Sequence, residues 1–243
     1  MIFIGGTALR FFHQIPRFSE DLDFNYSGTL KKVDLENMMH VLQRELQKEN
    51  ISMDFSIRKS QETYSHWKIY AQFPHILQKY GCGGRKIGTL HPEEKLSLQF
   101  DFQNLGTQKY PTTQKIIARF GKRFIFHTAE LDMFLAEKSN AMLFRKSPRG
   151  RDFFDFMNLV ELGACIDLQY LHMREIHVKN TQEYDNLLLK RVEKLDFAKL
   201  TDQFSPFLFR HEDVEIMKHF PKHLPDFLAR LDLNKSSRQA KIK

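Results

Sequence analysis

Gly5-Gly6-Thr7, followed by Arg17-Phe18-Ser19-Glu20-Asp21-Leu22-Asp23-Phe24, is the stretch whose reading decides the fold. Met1 to Ile4 is a short apolar run that reads as a buried strand, and Ala8-Leu9-Arg10-Phe11-Phe12 begins a helical run. The two glycines therefore fall at a strand-to-helix turn, where backbone lacking Cβ atoms can come close to a phosphate. N–H groups at the helix start face such an anion, and the Thr7 hydroxyl adds a donor. Asp21 and Asp23 stand two apart on a predicted strand, so both carboxylates share one side while Leu22 and Phe24 enter the core. Side by side, two such anions repel; one or two Mg²⁺ ions would keep both ionised and let them carry a nucleoside triphosphate. A bare Asp-x-Asp reads more simply as two solvated acids on an edge strand, and the upstream Gly-Gly-Thr shifts the balance toward nucleotide chemistry.

Outward from this stretch, 33–49 reads as a helix with Leu35, Met38, Met39, Leu42 and Leu46 on its apolar side. Met53, Phe55 and Ile57 alternate with polar residues and 64–73 is rich in aromatics, which predicts an antiparallel pair. The glycine-rich run 81–88 lacks P-loop spacing, and no Ser or Thr follows its lysine, so it reads as a hairpin loop. Over 95–103, Leu96, Leu98, Phe100 and Phe102 alternate with Ser97, Gln99 and Asp101, turning Asp101 to the polar side. After 123–127, read as the last strand, the pattern becomes helical. In the helix expected from about Thr128, Lys138, Ala141 and Arg145 share one face, and two cations so aligned can clamp a triphosphate. Lys146-Ser147-Pro148-Arg149-Gly150 breaks that helix, and Asp152 and Asp155 fall one turn apart at the start of the next. The expected division is an α/β domain over 1–127, a helical domain over 128–234 that completes the active site, and a frayed basic tail over 235–243.

The chain has 243 residues, 42% of them hydrophobic, enough for one sizeable core or two modest ones. A net charge of +7 and a pI near 9.3 fit an anionic partner and equally a solvated basic surface. Cys82 and Cys165 stand alone, which argues against a disulfide framework or a zinc site and for a reducing cytoplasm. No run of apolar residues is long enough to span a bilayer and no signal sequence is evident, so a cytoplasmic protein without membrane contact is expected. The histidines of the second half lack metal-ligand spacing.

The ordered series of Gly-Gly-Thr, a helix, Arg17 to Phe24, Lys138 and Arg145 on one helix, and Arg151-Asp152-Phe153-Phe154-Asp155 after a break resembles the AbiEii/AbiGii toxin family. That family is a branch of the polymerase-β-like nucleotidyltransferases. The resemblance implies an α/β (α+β) fold, with a mixed sheet followed by a helical C-terminal domain. It implies Asp21, Asp23, Asp101, Lys138 and Asp152 as catalytic residues, with Asp21, Asp23 and Asp101 as the metal set. Asp101 then acts as base or as ligand to a second metal. Gly5, Gly6, Thr7, Ser19, Lys138 and Arg145 become the nucleotide-binding residues. Asp152 is expected to orient Lys138 or Arg145 or to help bind the incoming hydroxyl, and Asp155 to support Arg145 or Arg151.

The implied reaction moves a nucleoside monophosphate from an NTP to an acceptor, with Mg²⁺ as cofactor and pyrophosphate released. The implied role is the toxin of a type IV toxin–antitoxin or abortive-infection phage-defence system, with a cognate antitoxin as partner and RNA, especially a tRNA 3′ end, as acceptor. A small-molecule nucleotidyltransferase of the antibiotic-modifying kind, or a nucleotide-binding module without turnover, fits the same residues. Members usually carry a helical segment ahead of the Gly-Gly motif, whereas this chain opens on the strand.

Overall fold

The computed structural model describes residues 1–60, 66–74, 76, 95–106, 110–119 and 121–242; the glycine-rich run 81–88 lies outside them. Seven strands and nine α-helices are present among the described residues, in two compact units. The first unit comprises Met1–Thr7 and Glu20–Tyr110, the second Ala8–Ser19 and Pro111–Lys243.

In the first unit, β1 (Ile2–Ile4), β2 (Leu22–Tyr26), β3 (Asp54–Lys59), β4 (His66–Phe73) and β5 (Leu96–Asn104) lie in the order β3-β4-β5-β2-β1. Neighbours are antiparallel except β2 and β5, which run parallel, so the sheet is mixed. Alternation divides its faces. Ile69, Phe100 and Phe102 are buried on one face with Leu35 and Met39 of helix α2 (Lys32–Lys48), as the spacing of apolar residues predicts. Phe24 stacks on Phe3 at 5.1 Å and on Phe102 at 5.2 Å, adding aromatic contact to simple burial. The other face carries the polar residues. Helix α1 (Gly5–His13) starts at Gly5 itself rather than at Ala8, and β2 opens at Leu22, leaving Asp21 immediately before the strand.

From Pro111 onward the second unit opens with a hairpin, β6 (Thr112–Arg119) paired antiparallel with β7 (Lys122–Ala129). β6 was not expected, and β7 extends through Thr128, so helix α3 (Leu131–Phe144) starts later than its sequence pattern suggests. Next come α4 (Gly150–Glu161), α5 (Leu168–Met173), α6 (Thr181–Val192), α7 (Phe197–Phe204), α8 (His211–Lys218) and α9 (Phe220–Ile242). The side chains of Asp167, Asn180 and Asp196 accept backbone N–H groups at the starts of α5, α6 and α7, each satisfying an orphan donor. The core gathers Phe153, Phe197 and Phe220, with ring centroids 5.0 to 5.3 Å apart. Gly150 opens α4 against α7: a Cβ there would stand 2.8 Å from the Leu200 carbonyl oxygen. The expected frayed tail is instead the end of α9, which continues to Ile242. Among the described residues no helix is long and apolar enough to cross a membrane.

Candidate active site

The acidic half of the predicted site belongs to the first unit. Asp23 on β2 is paired in register with Asp101 on β5, and because those strands are parallel neighbours both side chains leave the same face. Strand spacing puts their backbones about 4.8 Å apart. Asp21 precedes β2, and the Thr7 hydroxyl donates to its carbonyl oxygen. Thr7 is buried, and its hydroxyl proton anchors the segment bearing Asp21.

Gly5 holds the other carboxylate. Its φ is +75°, and an added Cβ would stand 2.0 Å from Asp23 Oδ2 and 2.9 Å from Asp23 Cβ. The turn thus requires glycine twice over: for a backbone conformation that L side chains resist, and for the room Asp23 occupies. Gly5→Ala is expected to displace Asp23 and to destabilise by about 1–3 kcal/mol. Thermal melting together with NTP turnover checks this; an unchanged melting temperature and unchanged turnover would contradict the contact. Gly6, half-buried, is the second residue of the same helix.

Asp101 is already held. It accepts from His66 Nε2 at 3.0 Å, from the Gln99 side-chain amide, and stands 3.6 Å from Lys68 Nζ. Lys68 faces it directly across the β4–β5 ladder. Sequence reasoning placed Asp101 on the polar face but missed His66 and Lys68, whose alternation with Trp67 and Ile69 puts them on that face too.

The cationic half belongs to the second unit and is a buried ionic chain. Arg17, 2% exposed, makes a two-pronged contact with Asp155, Nε to Oδ1 at 2.6 Å and Nη2 to Oδ2 at 2.7 Å. Lys138 Nζ lies 2.7 Å from Asp155 Oδ2 and 3.2 Å from Asp152 Oδ1, and Arg145 Nη1 reaches Asp152 Oδ2 at 2.6 Å. Asp152 therefore does touch both Lys138 and Arg145. Asp155 does not pair with Arg145 or Arg151; its partners are Arg17 and Lys138, because α4 points it into the interior while Arg151 sits half-buried to one side.

Burial by itself would push the Lys138 ammonium down, but Asp155 and Asp152 outweigh it and hold its pKa above the ordinary value. Burial likewise would raise the Asp155 carboxyl, and Arg17 with Lys138 overcomes that and depresses it. Arg17, Lys138 and Arg145 thus share the two carboxylates Asp152 and Asp155. The outermost is Arg145, its side chain 35% exposed against 12% for Lys138.

Arg145 lies just past the end of α3, in extended conformation, and is fixed from two sides. Asp152 holds its guanidinium, and Arg191 of α6 donates to its carbonyl at 2.9 Å and to that of Met142 at 3.1 Å. Arg191 satisfies carbonyls that the end of α3 leaves open. Ser19 is half-buried between Arg17 and the acidic segment in sequence.

Whether these residues suit Mg²⁺ turns on donor chemistry. Asp21 and Asp23 supply hard oxygen donors, and Asn25, on the same face as Asp23, keeps a buried Oδ1 that accepts no hydrogen bond among the described residues. Among the described residues no group of three or more His, Cys, Asp or Glu is arranged to hold a metal. Mg²⁺ in phosphate-handling enzymes needs only one or two carboxylates, with water and phosphate oxygens completing its shell. The residues fit such an ion.

The family described as nucleotidyl transferase AbiEii toxin, of type IV toxin–antitoxin systems, matches residues 1–239, and the chain belongs to that family. Among solved structures it is similar to JHP933 from Helicobacter pylori, at 16% identity and a TM-score of 0.45, covering 100% of this chain and 89% of that one. No curated protein matches it.

Proposed function

We propose that this nucleotidyltransferase-family toxin moves a nucleoside monophosphate from an NTP to the 3′-hydroxyl of an RNA, with tRNA the favoured acceptor and Mg²⁺ required. The observation that carries the reading is the in-register pair Asp23 and Asp101, with Asp21 pinned beside the same turn. In this reading 1–127 forms the nucleotidyltransferase α/β domain and 128–234 the helical domain.

Asp21 and Asp23 would hold Mg²⁺, which neutralises phosphate charge as it builds. The acceptor oxygen attacks the α-phosphorus, the bond from that phosphorus to the oxygen bridging to the β-phosphate breaks, and pyrophosphate leaves with the electron pair. The hydroxyl proton passes to a carboxylate, for which Asp101 is suited by its place beside Asp23. The half-exposed Arg145 guanidinium, oriented by Asp152, meets the phosphate chain, and Lys138 reinforces that positive charge from below.

Incubating the protein with labelled NTPs, Mg²⁺ and total RNA tests this. Label entering RNA, and lost when EDTA is added, is the expected result. Label transferred only to small molecules would favour an antibiotic-modifying type of transferase, and nucleotide bound without turnover would favour a binding module; either would overturn the RNA-transfer reading. The family implies a cognate antitoxin, and the cytoplasm is the setting consistent with the isolated cysteines.

A further inference from the structure

The polar face of the first unit's sheet does not end at the acids. Register carries one row of side chains across it: Asp23 on β2 faces Asp101 on β5, Asp101 faces Lys68 on β4, and Lys68 faces Arg58 on β3. Tyr70, two residues beyond Lys68, shares the face, and the Arg58 guanidinium lies 5.3 Å from the centroid of its ring. His66, two residues before Lys68, shares it as well and holds Asp101. The opposite side chains of the same strands, among them Phe55, Ile57 and Ile69, are turned into the core against α2. Arg58 is exposed on the outermost strand of this unit, and Lys68 and Tyr70 are half-exposed.

The row therefore changes character in an ordered way: acids at β2 and β5, then an ammonium at β4, then a guanidinium stacked on a phenol ring at β3 and β4. Such a gradient does not suit a protein partner's apolar surface. It suits a polyanion carrying flat rings. A cation line follows phosphates, an aromatic paired with arginine offers a platform for a base, and sheets that display aromatics beside basic residues are a recurring way to bind single-stranded nucleic acid.

We propose that this face of β3 and β4 is the track for the acceptor, binding the 3′-terminal segment of a single-stranded RNA and leading its terminal hydroxyl to Asp101 and Asp23. A base stacks on Tyr70 with Arg58, and Arg58 and Lys68 meet the backbone phosphates. Lys68 then has two tasks, neutralising Asp101 in the free protein and contacting phosphate when RNA is bound. The inference rests on the RNA-transfer reading above and adds where the acceptor lies.

The test uses the full-length protein and a fluorescein-labelled unstructured RNA with a free 3′-hydroxyl, with binding read by anisotropy over a range of salt concentrations. Tyr70→Ala is expected to weaken binding roughly tenfold, and Tyr70→Phe, which keeps the ring, to restore it. Arg58→Gln, on an exposed site where folding is not at risk, is expected to flatten the slope of log affinity against log salt by about 0.7, the loss of one phosphate contact. NTP affinity and melting temperature are expected to stay at wild-type values. If the wild-type protein binds the RNA but Arg58→Gln and Tyr70→Ala bind it with unchanged affinity and salt slope, the track is overturned while RNA transfer stands. If the wild-type protein neither binds nor labels RNA, both fall.

Discussion

Asp155→Asn is expected to lower the melting temperature by roughly 6–20 °C, taking about 3–5 kcal/mol for breaking a buried ion pair and about 2–4 °C per kcal/mol for a chain of this size. The asparagine keeps the shape but takes from Arg17, 2% exposed, the charge of the carboxylate that its fork grips. Lys138 loses its shorter contact as well. The magnitude comes less from the attraction removed than from the desolvated cations left behind. Because the folded protein depresses the Asp155 pKa, its stabilising contribution is full above the ordinary carboxylate value and is lost as pH falls through the lower folded-state value. Wild-type protein should therefore lose this stability below about pH 4, and the variant's stability should change less over that range. Lys138 works in the other direction: its raised pKa makes its contribution full below the ordinary lysine value and lost only as pH climbs through the folded-state one. Scanning calorimetry from acid to alkaline pH measures both effects. A variant melting at the wild-type temperature would mean that the Arg17 contact contributes nothing to the fold.

Asp23→Asn is expected to reduce nucleotidyl transfer by at least roughly two to three orders of magnitude, with secondary structure and melting temperature close to wild type. An amide fills the same space beside Gly5 and keeps one oxygen, so the turn survives; what disappears is the negative charge facing Asp101. Two competing accounts give different numbers. Were Asp23 a solvated acid on a strand, the substitution would change turnover by a factor near one; were it a structural partner of the α1 N-terminus alone, stability would fall along with activity. Single-turnover kinetics over a Mg²⁺ titration, beside circular dichroism and melting of the same preparation, tells these apart. Near-wild-type transfer would remove Asp23 from the catalytic set.

The parts of this molecule that the sequence made legible are those where a local period meets a local breaker. Gly5 and Gly6 follow four apolar residues and mark the β1–α1 turn; the alternation through Asp101 marks β5 and its polar face; the spacing of Leu35 and Met39 marks α2. The family itself was legible because its motifs occur in order over much of the chain. What escaped has physical reasons. In β6, Ile116 and Ile117 are consecutive and Ile116 is 68% exposed, so the strand never shows the clean alternation of a half-buried one. Thr128 has the chemistry of a helix N-cap, yet it is fully buried at the end of β7, and Glu130, which does precede α3, makes no side-chain cap at all. Lysine, arginine, glutamine and alanine at the C-terminus look like a solvated tail but are also strong helix formers, and α9 uses them so. The bond between Arg17 and Asp155 spans 138 positions, beyond the reach of any periodicity.

That span bears on when the protein becomes able to act. Asp23 and Asp101 meet through the parallel pairing of β2 with β5, so residues up to about the end of β5 must have left the ribosome before the acidic edge can exist. Closing so wide a loop carries an entropic cost that local helices do not face, and parallel pairing is accordingly a late event. The Arg17 clasp waits longer still, for α4 to emerge. A chain cut before β5 lacks the paired acids, and one cut before α4 lacks the contact between Arg17 and Asp155.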